Sequence, residues 1–176
     1  MKKLTIILIA LCFSTFGFSQ MSNFVGGELG FSSNDAQSNF SFVPQYGRIL
    51  NEKMVVVVGL GLRNSTVKVP TEVKSSGFAL GAELRYGWKS GDHLFVFLAP
   101  GVDFISTKIK DAKDATNSFN IGIRPGLTYV MSDHWTATAK YGYLGYTSVS
   151  TGGASSGNFG LDINTNSLLL GINYHF

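Results

Sequence analysis

Cysteine is nearly absent from this chain: Cys12 is the only one in 176 residues. So few thiols leave no disulfide framework and no cysteine set for metal or redox chemistry. Charge is also scarce, at 14 % of residues against about 25 % in an average soluble domain. No apolar run reaches the ~18 residues of a membrane-spanning helix. After residue 20 the spacing of an amphipathic helix does not occur either. What abounds is glycine, 21 residues, and apolar side chains, 44 % of the chain, which is enough to exclude disorder.

The first residues read as a targeting segment. Lys2 and Lys3 precede an apolar stretch, Thr5 to Phe13, and small residues close it at Gly17-Phe18-Ser19. That is the order of a secretory signal peptide, expected to span 1–19 and to be cleaved after Ser19, leaving 20–176 as one domain. Cys12 leaves with it, and the bulky Leu11 just before it argues against lipidation. Cleavage removes two lysines and no acid, so the mature balance is 12 basic against 11 acidic side chains. Nothing in that balance suits nucleic acid.

The rest alternates between apolar and polar residues. In Ser76–Trp88 one parity reads Phe78, Leu80, Ala82, Leu84, Tyr86, Trp88, and the other Gly77, Ala79, Gly81, Glu83, Arg85, Gly87. This is a strand facing two different solvents. Seven further segments read alike: Asn23–Ser32, Asn39–Leu50, Met54–Arg63, His93–Ile105, Ser118–Met131, His134–Tyr146 and about Ile163–Phe176. Short polar turns alternate with longer connections at Ser33–Ser38, Asn64–Ser75, Ser106–Asn117 and Thr147–Asp162. The pattern predicts an all-β protein, an eight-stranded antiparallel up-and-down transmembrane barrel with both termini on the short-turn, periplasmic side.

The polar parity identifies the lumen. Thirteen strand glycines, from Gly26 to Gly171, share it, against Gly27 and Gly145 on the apolar parity. Glycines fit the concave side of a narrow barrel, where large side chains collide. Glu28, Arg63, Glu83, Arg85, Asp103, Arg124 and Lys140 share the same parity, as expected if the other face meets lipid, where a mid-depth Arg or Lys costs roughly 2–4 kcal/mol. Arg48 alone departs, near a strand end. Tyr46, Tyr86, Trp88, Tyr129 and Trp135, with Tyr174 and Phe176, gather beside the short turns. Phe31, Phe40, Phe78, Phe104, Phe119 and Tyr143 gather beside the long connections. Two such belts are expected of interfacial aromatic girdles. Pro44, Pro100 and Pro125 fall inside strands, where bulges or kinks are expected. The last segment changes parity near Thr165–Ser167, so its membrane part is expected to begin near Asn166.

In this architecture the chain resembles the small eight-stranded outer-membrane barrels, such as OmpX-like proteins, the barrel half of OmpA and "outer membrane protein beta-barrel domain" proteins. The resemblance covers the whole mature chain. It implies that Leu168, Leu170, Ile172, Tyr174 and Phe176 form the strand read by the barrel-assembly machinery. It also implies a cell outer-membrane location, with lipid and lipopolysaccharide as surroundings. Nothing follows Phe176, so OmpA's peptidoglycan-binding domain is not expected.

Signs of chemistry are few. Some barrels of this size modify lipid A, using His with Ser and an acid near the outer leaflet. Here His93, His134 and His175 all fall beside the short turns, at the opposite end, so no enzyme is expected. They lack metal-ligand spacing, and neither metal nor cofactor is expected. Gly152-Gly153-Ala154-Ser155-Ser156-Gly157 lacks the Gly-Lys-Ser/Thr ending of a phosphate loop and reads as a mobile loop. Lys108, Lys110 and Lys113 beside Asp111 and Asp114 could meet lipopolysaccharide phosphates, though a solvated loop is the simpler reading. The seven inward charges suit either a polar conduit or a closed, ion-paired plug. Eight strands leave room only for side chains, and the near-equal count favours the plug. The expectation is a monomer with a structural and surface-interaction role through its loops; the alternative is a small-solute or ion porin.

Overall fold

The computed structural model describes residues 23–33, 35–68, 73–109, 114–163 and 168–176. The proposed signal peptide, the parity change at Thr165–Ser167 with Asn166, and Lys110, Asp111 and Lys113 lie outside them. The described residues form ten antiparallel strands and no helix: β1 (Asn23–Ser33), β2 (Gln37–Asn51), β3 (Met54–Val67), β4 (Val73–Lys89), β5 (Leu94–Ile109), β6 (Ala115–Val130), β7 (Trp135–Lys140), β8 (Tyr143–Thr151), β9 (Ala154–Asp162) and β10 (Leu169–His175). Neighbours pair in chain order from β1 to β7; β7 then pairs with β10, and β10 with β1, closing a ring of eight. Phe176 N donates to Asn23 O at 3.0 Å where the termini meet.

The barrel is inside out relative to a water-soluble protein. Among the described residues the buried apolar side chains are Phe24, Val57, Ala79, Phe97 and Ala99. The buried polar ones are Glu28, Gln45, Arg85, Asn120, Thr136, Thr138, Lys140 and Asn173. Leu60, Leu62, Leu80, Ile121, Leu170 and Ile172 are exposed on the outer face. This is the distribution that lipid outside and a narrow, filled lumen require.

Two expected strands differ in detail. His134–Tyr146 becomes β7 and β8, separated at Tyr141-Gly142, and the eighth segment becomes β10 with β9 standing before it in the chain. Gly126 pairs with Lys140 and Ile123 with Leu144, so three residues on one strand face two on the other. This one-residue bulge lies beside Pro125, and Gly142 takes φ +82° within it, a conformation glycine adopts at little cost. The bulge reverses the parity beyond it. Gly145 therefore faces the lumen opposite Gly122, correcting its assignment to the lipid face. Tyr143 turns inward over Arg124, 4.9 Å from guanidinium to ring, and leaves the upper girdle. Phe31, Phe40, Phe78, Phe104 and Phe119 stay exposed.

The other two prolines act more simply. Pairing of β2 with β3 is interrupted at Val43–Pro44 and resumes in register. Pairing of β4 with β5 is interrupted at Ala99–Pro100, also without a shift. At these positions the missing N–H removes local ladder bonds, so interruption, not a bulge, is the outcome.

The described residues of the long connections are mostly strand. β4 runs 17 residues, where a tilted span needs about 9–11. Ladders continue through Thr66↔Lys74 and Thr107↔Thr116, with Thr116 and Thr151 hydroxyls 2.8 Å apart. The expected loop Thr147–Asp162 is a hairpin of β8 and β9, turned by Gly152 and Gly153 at φ +57° and +90°. Those signs are the type I′ geometry that matches strand twist. A hairpin turn therefore replaces the mobile glycine loop expected there. Among the described residues β9 pairs with β8 alone.

Candidate functional site

The lumen is filled by side chains from strands far apart in the chain. Inward positions alternate along each strand, so Glu28 on β1, Glu83 and Arg85 on β4, and Lys140 on β7 all point to the same axis. They form a closed circuit. Arg85 donates to Glu28 at 2.9 Å and to Glu83 at 2.7 Å; Lys140 donates to Glu28 and to Glu83, each at 2.8 Å. Two acids and two bases thus bridge each other in alternation. Buried charges persist only when paired and hydrogen-bonded, and this circuit meets that condition. Arg85 also donates to Gln45 at 3.2 Å, Gln45 to Asn173 at 2.7 Å, and Asn173 to the Thr138 hydroxyl at 3.1 Å.

Two phenylalanines seal the circuit on the short-turn side. The Arg85 guanidinium lies 5.9 Å from the Phe24 ring centre and 5.3 Å from that of Phe97, which supports cation–π attraction in a desolvated site. Phe97 is 1 % exposed and Ala99 0 %. The rings fit because the facing wall is glycine: a Cβ at Gly47 would enter the Phe24 ring and one at Gly126 the Phe97 ring. Sequence reasoning placed the glycines and charges but passed over Phe24 and Phe97, which share the glycine parity. That shared parity was the signal available.

The remaining three charges sit toward the long-strand end. Arg124 donates to Asp103 at 2.6 Å. Arg63 makes no ion pair among the described residues, and its buried Nε has no hydrogen-bond partner. Cavities follow the lumen in series. One of about 200 Å³, lined by Phe24, Phe97, Arg85 and His175, lies on the short-turn side. A void of about 60 Å³ touches Glu28, Glu83, Lys140, Asp103, Arg124 and Arg63. A mouth of about 380 Å³ contains Arg63, Ser41, Ser65 and Thr107.

The other residues singled out from sequence lie on the outer wall or at its short-turn rim. Tyr86, Trp88, Tyr129 and Trp135 are exposed, while Tyr46 is half-buried and donates to Asn23 at 2.9 Å. Leu168, Leu170, Ile172, Tyr174 and Phe176 are exposed, with Tyr174 edge-on to Trp135 at 5.1 Å. His93, His134 and His175 collect at the short-turn end; His134 Nδ1 is 3.0 Å from His175 O, and His175 Nε2 is 3.0 Å from the Thr136 hydroxyl. Lys108 projects from the outer face of β5 near the mouth.

A closed ring of eight strands, apolar outside and charged within, defines a transmembrane outer-membrane β-barrel. The chain belongs to the family described as outer membrane protein beta-barrel domain, which matches residues 10–176. Solved structures agree in fold. Neisserial surface protein A superposes with a TM-score of 0.57 at 15 % identity, covering 88 % of this chain and 96 % of that one. OprG from Pseudomonas aeruginosa gives 0.52 at 10 %, covering 90 % and 99 %. A major outer membrane protein from Thermus thermophilus gives 0.51 at 11 %, covering 88 % and 98 %. Among curated protein sequences no match is found.

Proposed function

We propose that this chain is a non-enzymatic outer-membrane barrel with a closed lumen, acting through the strands and turns that stand beyond the membrane. The observation that carries this reading is the ion circuit of Glu28, Glu83, Arg85 and Lys140, capped by Phe24 and Phe97. Opening it would separate buried charges from their partners, which is strongly unfavourable in a low-dielectric interior. The β8–β9 hairpin supports the surface role: among the described residues β9 has one paired edge, and its residues are almost all exposed. Export by a cleaved signal peptide, insertion by the barrel-assembly machinery through the final strand, and a monomer among lipid and lipopolysaccharide complete the proposal.

A small-solute or ion pore is the second reading. It is favoured by the cavities on either side of the circuit, which leave one layer of side chains to move. Conductance in planar bilayers separates the two. The closed barrel gives no steady openings, whereas steady ion-selective openings would establish the pore. Deleting 147–158 should abolish cell-surface binding while leaving heat-modifiable gel mobility intact, if the hairpin carries the surface role.

A further inference from the structure

We infer that the mouth of the barrel holds a binding site for a small oxyanion, with the Arg63 guanidinium as its cationic floor. The charge pairing leads to this site. Glu28 and Glu83 are fully engaged by Arg85 and Lys140, and Asp103 is engaged by Arg124 at 2.6 Å. Arg63 is the inward cation that remains without an ion pair among the described residues, and the carboxylate whose charge reaches it, Asp103, is already held by Arg124. Its Nε is the one buried side-chain nitrogen or oxygen among them without a hydrogen-bond partner. Arg63, Arg124 and the single carboxylate of Asp103 leave one net positive charge at this level, and the planar N–H groups of a partly buried guanidinium pair most strongly with carboxylate or phosphate oxygens.

The surroundings fit such a ligand. Arg63 lines both the narrow central void and the mouth cavity of about 380 Å³, so it closes the bottom of a cup that opens toward the long-strand end. The wall above it carries the hydroxyls of Ser41, Thr107 and Ser118, beside Ser65 and Ser75, whose hydroxyls donate to Asn39 Oδ1 and to the Ser65 carbonyl. Hydroxyls donate to oxyanions without adding charge. Above Asp103, the described inward positions of β2 to β6 carry no carboxylate to compete. Lys74 and Lys108 border an adjoining outer-rim cavity, raising the local potential for an approaching anion. The cup lies inside the ring rather than on the lipid face, which selects a soluble anion bearing phosphate or carboxylate. The site sits beyond the ion circuit and requires no passage through it.

The test titrates inorganic phosphate into the purified, detergent-solubilised chain at constant ionic strength set with chloride, followed by calorimetry. The expected result is saturable one-site binding, weakened at least tenfold in Arg63→Gln and largely restored in Arg63→Lys. Should Arg63→Gln lose heat-modifiable mobility and so fail to fold, Thr107→Asp places a competing carboxylate in the cup wall, and it too should abolish binding. Absence of saturable binding in the wild type overturns the inference. So does undiminished binding in folded Arg63→Gln or in Thr107→Asp.

Discussion

The two halves of the lumen solve the problem of enclosed charge in different ways. At mid-barrel, Glu28, Glu83, Arg85 and Lys140 pair completely and aromatic rings lie over Arg85, so the layer is filled and charge-balanced. Toward the mouth, Asp103 and Arg124 are partly exposed, and Arg63 adds a second positive charge against the one Asp103 carboxylate beneath a wall of hydroxyls. The difference shows that one glycine-lined tube can serve as packed core at one level and as receptive surface at another. Neighbouring bulk decides which: rings fill the space left by Gly47 and Gly126, whereas small hydroxyls leave the mouth empty.

Substitutions should widen or erase this contrast. The largest effect is expected from Arg85→Met, which leaves Glu28 and Glu83 sharing Lys140 alone. Losing one partner of a buried pair costs about 3–5 kcal/mol, so the urea unfolding midpoint in detergent should fall markedly. Phe97→Ala comes next: it opens a void between Gly87 and Gly126, and such truncations cost about 3–5 kcal/mol in tight cores, less where water fills the space. Gly47→Ala should cost about 1–3 kcal/mol by overpacking against the Phe24 ring. Asp103→Asn should lower the same midpoint less than Arg85→Met, because its pair with Arg124 is part-buried rather than buried, with the Asp103 side chain 22 % exposed. Equal losses for Arg85→Met and Asp103→Asn would erase the distinction between the two halves.

Parity was legible because the membrane imposes it. The alternation of Ser76–Trp88 placed Glu83 and Arg85 inward, and β4 follows that register along its length. Beyond the membrane both faces meet water, so Ser, Thr and Asn ladders such as Ser65↔Ser75 carry no contrast and read as loop. The Tyr141-Gly142 bulge was hidden for another reason: one extra residue leaves composition untouched while reversing every side chain after it. Its trace in the sequence was a glycine between two tyrosines, but only the pairing with β6 reveals that Pro125 lies opposite. Which acid meets which base was also illegible. Arg85 and Glu28 are 57 residues apart, and their meeting depends on the stagger between β1 and β4, a property of the closed ring rather than of either strand.

The closed mid-lumen can be probed directly because Cys12 is the chain's single cysteine. With Cys12 replaced by Ser, single cysteines are introduced as Ala99→Cys, at the sealed level, and as Ser41→Cys, in the mouth. Both are exposed to a small membrane-impermeant maleimide in the folded protein, and labelling rates are compared with the urea-unfolded state. The account predicts rapid labelling of Ser41→Cys and near-complete protection of Ala99→Cys until unfolding. Labelling of folded Ala99→Cys as fast as Ser41→Cys would contradict a closed lumen.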